Sequence, residues 1–189
     1  MNLPNKLTIV RIILTPVFLF FFLSEFIPHH FLFAMLVFIL ASVTDFADGY
    51  IARSRKIVTN FGKIADPIAD KILTTSVLLC FLKLDLCSVW IIMIILAREF
   101  TISAIRITAA SQGSVIPANI FGKIKTSSQM LFSVAILAMI MFIDEGIISM
   151  EYDTLSFISG ILLWITAALA VVSGAVYIKD SAKVIDFTK

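Results

Sequence analysis

The sequence predicts an all-α polytopic membrane protein with six transmembrane helices and both termini in the cytoplasm. Three observations predict it. The 189-residue chain is 60% hydrophobic and only 15% charged, with a mean hydropathy of +1.03, beyond the roughly half apolar and quarter charged of soluble domains. The apolar residues come in blocks long enough to cross a bilayer, which takes about 20 residues as a helix. The charges between blocks sort by sign onto two sides.

Helix is the only secondary structure that satisfies its own backbone in lipid, and no strict alternation points to a barrel. The first block, Leu7–Phe26, follows MNLPNKLTIVR, which lacks the basic–apolar–small order of a cleaved signal; we expect it to be retained. The second is Phe31–Arg53 and the third Pro67–Leu84, where Asp66–Pro67 reads as an N-cap with proline at the first helical position. The fourth is Val89–Ala110, the fifth Ile124–Ile143 and the sixth Leu155–Ile178. Together they make a single membrane domain over residues 1–189.

The odd-numbered connections carry Glu25, His29 and His30, then Lys83 and Asp85, then Asp144, Glu145, Glu151 and Asp153. All other lysines and arginines fall on the opposite side or on helix ends facing it, which places that side in the cytoplasm. An even number of spans independently puts both termini on one side. Net charge is only +2, and no nucleic-acid signature is present. Cys80 and Cys87 lack a metal or redox spacing and read as buried, inert thiols. His29 and His30 lie far from the acids and do not read as ligands. Trp90 and Tyr177 read as interfacial anchors, and Trp164 as a deeper packing residue.

The informative stretch is TDFADGYIARSRKIVTNFGKIADPIAD, residues 44–70. Asp45 and Asp48 share a helix face, as do Asp66 and Asp70. A short connection between the second and third helices makes them antiparallel neighbours, with both acidic pairs at one depth. Four carboxylates so close need cations, and ionisable groups within a membrane mark function. Oxygen ligands without His or Cys favour Mg²⁺, Mn²⁺ or Ca²⁺ over Zn²⁺. Four can hold two ions, about 3.5–4 Å apart in such sites, suited to phosphoryl transfer. Gly49 and Ala52 leave space for a ligand beside the second helix, and Gly62 permits close approach; the alternative is helix packing.

The pattern Asp45-x2-Asp48-Gly49-x2-Ala52-Arg53-x8-Gly62-x3-Asp66-x3-Asp70 resembles the full signature of the CDP-alcohol phosphotransferases. The resemblance implies that Asp45, Asp48, Asp66 and Asp70 ligate metal, two Mg²⁺ or Mn²⁺ ions, and that Asp70 is also the general base. It implies that Gly49, Ala52, Arg53, Thr59 and Gly62 line the CDP site, with Asn5 nearby, and that the protein is a homodimer. Three further stretches, NLPNKLTIVRIILTP, AREFTISAIR and GKIKTSSQ, are similar to the branch of the family that moves phosphatidyl groups from CDP-diacylglycerol to glycerol 3-phosphate in a bacterial inner membrane. An acceptor with its own phosphate needs fixed cations. Arg98 and Arg106, eight apart on one face of an apolar helix, fit that need, with Lys125, Thr126 and Lys123 at the start of the fifth. The structural alternatives are an Arg98–Glu99 pair and a snorkelling lysine pair. Rival readings keep the chemistry with inositol phosphate, serine or phosphatidylglycerol as acceptor, or make the chain a prenyltransferase or a cation transporter.

Overall fold

Six helices make up the computed structural model: α1 Leu3–Leu23, α2 His30–Arg55, α3 Asn60–Lys83, α4 Val89–Ser111, α5 Ile120–Asp144 and α6 Tyr152–Ser181. It describes the backbone of residues 3–55, 60–112 and 119–182, and the side chains of these except 3–4, 45–55, 60–64 and 111. No strand occurs among the described residues. Among the described residues, three of the helices, α1, α5 and α6, are long and apolar enough to cross a membrane; α2 contributes a shorter apolar segment, and α3 and α4 are interrupted by charge.

The third helix starts well before the expected Pro67. It begins at Asn60 and runs through the proline, so Asp66 is an interior helical residue and not an N-cap. Membrane helices tolerate proline because neighbouring groups re-satisfy the freed carbonyl. The consequence is that Gly62, Asp66 and Asp70 stand at four-residue spacing on one continuous helix. The fifth helix also starts earlier, at Ile120. Asn119 caps it, its side-chain oxygen accepting from Gly122 N at 2.7 Å.

Apolar and polar residues are arranged as a lipid solvent requires. Ile13, Phe20, Leu36, Leu79, Leu131, Phe157 and Val171 face outward, while the buried set includes Asn5, Thr8, Arg11, Thr15, Lys125, Gln129, Ser133, Thr166 and Ser173. Hydroxyls in the helices return their protons to the preceding turn, as Thr15 does to Arg11 O (3.0 Å) and Thr166 to Leu162 O (3.0 Å). Trp90 is exposed at the start of α4, in keeping with an interfacial anchor. Two expectations are corrected. Trp164 is 49% exposed, because its stretch of α6 faces outward and not into the packed interior. Tyr177 is buried, because its phenol binds Arg106 within the bundle.

Helix α1 packs on both α2 and α3, α5 on α2 and α6, and α4 on α6. The apolar core runs from Phe18, Phe22 and Phe38 through Leu73, Val77 and Phe81 to Ile91, Ile95, Ile136 and Leu163. Tilted ring contacts of 5.8 Å and 5.6 Å join Phe18 to Phe22 and Phe38. The α1–α2, α3–α4 and α5–α6 connections lie together at one end. His29 Nδ1 meets the Glu145 carboxylate at 2.6 Å, and the Tyr152 hydroxyl donates to Leu84 O. Each of these turns holds one residue at positive φ, His29, Asp85 and Gly146. Cys80 and Cys87 are free and buried, and burial pushes the Cys87 thiol, in the α3–α4 turn, up to about 11.

Candidate active site

Opposite the tied turns, α3, α4, α5 and α6 enclose a cavity of about 760 Å³. Asp66 and Asp70 enter it from α3, Arg98, Glu99 and Arg106 from α4, and Lys123 and Thr126 from α5. Two of the acids come from α3 and most of the cations from α4 and α5, where Glu99 also lies, so a mainly anionic wall and a mainly cationic one face one volume. That arrangement suits a ligand carrying both a metal-bound phosphate and a free one.

Asp66 is held from α1: the buried Thr8 hydroxyl donates to its Oδ1. Asn5, Thr8, Arg11 and Thr15 are all buried and recur at three- and four-residue steps, so α1 turns one polar stripe inward. Asn5 is thus in the bundle interior, on the helix that contacts Asp66. Lys71, one residue past Asp70, donates to Ser103 Oγ on α4 and lies 5.6 Å from the Phe100 ring centroid.

The two arginines are fixed by α6. Arg98 Nε donates to Ser173 Oγ at 3.2 Å, and Arg106 Nε to the Tyr177 hydroxyl at 3.3 Å. The Arg106 guanidinium also lies 5.5 Å from the Tyr177 ring centroid, a cation–π contact. Glycines admit the Arg98 side chain. A Cβ on Gly174 would stand 3.2 Å from Arg98 Cγ, and one on Gly122 3.3 Å from its Nη2. The Arg98–Glu99 pair does form, at 2.9 Å, yet Arg98 still lines the cavity. Lys125 does not snorkel. It is 2% exposed, and its Nζ meets Glu99 Oε1 at 2.6 Å. Lys123 reaches the cavity, whereas Lys125 stands behind Glu99.

The side chains of Asp45, Asp48, Ala52 and Arg53, together with Gly49 and Gly62, fall in stretches whose side chains lie outside the described residues, and Thr59 lies outside them entirely. What is described of the acidic set fits a hard divalent cation: Asp66 and Asp70, one turn apart, supply only oxygen, and Thr8 orients one of them. Sequence reading gave Thr8, Ser173, Gly174 and Tyr177 no place in the site, and gave Glu99 only as a structural partner of Arg98. Only the inward stripe on α1 left a readable trace.

The sequence model of the CDP-alcohol phosphatidyltransferase family matches residues 1–172. The chain belongs to this family. Among CDP-alcohol phosphatidyltransferase relatives, a Bacillus subtilis protein named CDP-diacylglycerol–glycerol-3-phosphate 3-phosphatidyltransferase is 37% identical, over 93% of each chain. A Rickettsia felis protein of the same name is 40% identical over 96% of each. A rice protein named cardiolipin synthase (CMP-forming) is 35% identical over 95% of this chain and 57% of its own. The chain therefore has relatives that carry two different enzyme names.

Proposed function

We propose that the chain transfers the phosphatidyl group of CDP-diacylglycerol to glycerol 3-phosphate, giving phosphatidylglycerophosphate and CMP. The observation that carries this reading is the pairing in one cavity of Asp66 and Asp70 with Arg98, Arg106 and Lys123. A nucleophile with its own phosphate needs that second, cationic wall; serine does not. The relatives named for glycerol 3-phosphate favour it over inositol phosphate.

In this reading Asp45, Asp48, Asp66 and Asp70 hold two Mg²⁺ or Mn²⁺ ions, whose chemistry when bound is to neutralise the diphosphate and the departing phosphate oxygen. Gly49, Ala52, Arg53, Thr59, Gly62 and Asn5 receive the CDP part. Arg98, Arg106 and Lys123 bind the acceptor phosphate, and Lys125, paired with Glu99, offsets the repulsion between that carboxylate and the phosphate. Asp70 accepts the proton of the acceptor's primary hydroxyl as its oxygen bonds to the phosphorus carrying diacylglycerol. The bond from that phosphorus to the CMP oxygen breaks. Positioning and fixed charge supply most of the acceleration.

The same reading makes the chain one membrane domain with six spans and cytoplasmic termini. The charge sorting and the clustering of the three odd connections at one end support it. The site then opens to the inner leaflet of a bacterial inner membrane, and the resemblance adds a homodimer.

The purified protein in detergent, given CDP-diacylglycerol, Mg²⁺ and radiolabelled glycerol 3-phosphate, is expected to release CMP and move label into lipid. Asp70→Asn should release none. Label incorporated from inositol phosphate and not from glycerol phosphate would overturn the acceptor, and pyrophosphate in place of CMP would overturn the reaction.

A further inference from the structure

Glu99 is out of place in a pocket for an anion. Its carboxylate lines the cavity with Arg98 and Arg106 and repels any phosphate they attract, so its presence needs a reason. Part of the reason is structural: Lys125 is buried, and an uncompensated buried charge is costly. Yet the carboxylate is used unevenly. Both Lys125 Nζ (2.6 Å) and Arg98 Nη1 (2.9 Å) bind Oε1. No described residue donates to Oε2, and the side chain remains 23% exposed.

An ionised carboxylate offers acceptor capacity only, so the complement of Oε2 is a hydroxyl or an N–H. Glycerol 3-phosphate has one hydroxyl to spare. Its phosphate matches the arginines and its primary hydroxyl is the nucleophile. The hydroxyl on the middle carbon must find an acceptor when water is displaced. Resting on the acceptor assignment above, we propose that Glu99 determines acceptor specificity: Oε1 fixes Arg98 and Lys125 in place, while Oε2 accepts a hydrogen bond from the acceptor's middle-carbon hydroxyl.

The test compares glycerol 3-phosphate with 3-hydroxypropyl phosphate, which keeps the phosphate and the primary hydroxyl and lacks only the middle one. A site built to bind a hydroxyl discriminates strongly against the analogue without it. In the wild type, kcat/KM is expected to favour glycerol 3-phosphate by about tenfold or more, as suits a charge-assisted hydrogen bond. In Glu99→Ala the preference should collapse to within about twofold. Glu99→Gln keeps the volume and loses the charge, and serves where the alanine variant does not fold; its preference should fall severalfold. A purely structural Glu99 would lower both substrates' rates together and leave the ratio untouched, which overturns the proposal, as does a wild-type ratio near one. Failure of the wild type to use either phosphate would instead sink the acceptor assignment.

Discussion

Thr8 and Asp66 are 58 positions apart in sequence, on α1 and α3, and share one hydrogen bond. Valine has the shape of threonine without the hydroxyl, so Thr8→Val leaves the fully buried position filled and removes the hydroxyl that donates to Asp66. The carboxylate then loses the partner that sets its orientation. Loss of such an outer partner typically lowers metal affinity or activity 10–100-fold. We expect Thr8→Val to lower kcat/KM by about that factor and to raise the Mn²⁺ concentration for half-saturation in a calorimetric titration of the protein alone. Thr8→Ser should restore both. Unchanged Mn²⁺ binding would show that Asp66 is oriented without Thr8.

Among the elements, α6 has the least obvious function in sequence and a central one in space. It reads as an apolar span, yet Ser173 and Tyr177 bind the two arginines of α4 and Gly174 makes room for one of them. Gly174→Val would drive branched carbons against Arg98 Cγ, near the root of a side chain already held at Nε and Nη1. The expected outcome is a rise of about tenfold in KM for glycerol 3-phosphate with little change in KM for CDP-diacylglycerol, since the proposed function gives the displaced cation to the acceptor; a loss of about 1.4 kcal/mol of binding corresponds to that factor. Equal effects on both constants would mean that α6 supports the bundle as a whole. These contacts were illegible beforehand because they join residues 75 and 71 positions apart, and small hydroxyl residues are common in any membrane helix. The acidic pair on α3 and the paired arginines on α4 were legible, because each is a spacing within one helix. The start of α3 was not, since proline marks a helix start far more often than it sits inside one.

At the scale of the whole molecule, six blocks of apolar sequence became six helices, with ends displaced by a few residues where caps and proline decided the matter. The proposed orientation rests on charge and can be tested directly. In a variant with Cys80 and Cys87 replaced by alanine, a single cysteine at Ile148, in the α5–α6 turn and 43% exposed, should react with a membrane-impermeant maleimide in intact cells. One at Lys179, near the end of α6, should react only after lysis. The reverse pattern would invert the topology and turn the cavity outward.

The division of labour in the cavity has an evolutionary consequence. Asp66 and Asp70 come from α3, braced by α1, whereas the cations and their supports come from α4, α5 and α6. In the proposed function, the half of the bundle assigned to the donor is thus largely separate from the half assigned to the acceptor phosphate. Under the proposed function, substitutions in the later helices would alter the choice of acceptor more than the handling of the nucleotide, so related membrane enzymes with different headgroups would be expected to differ most in their second halves.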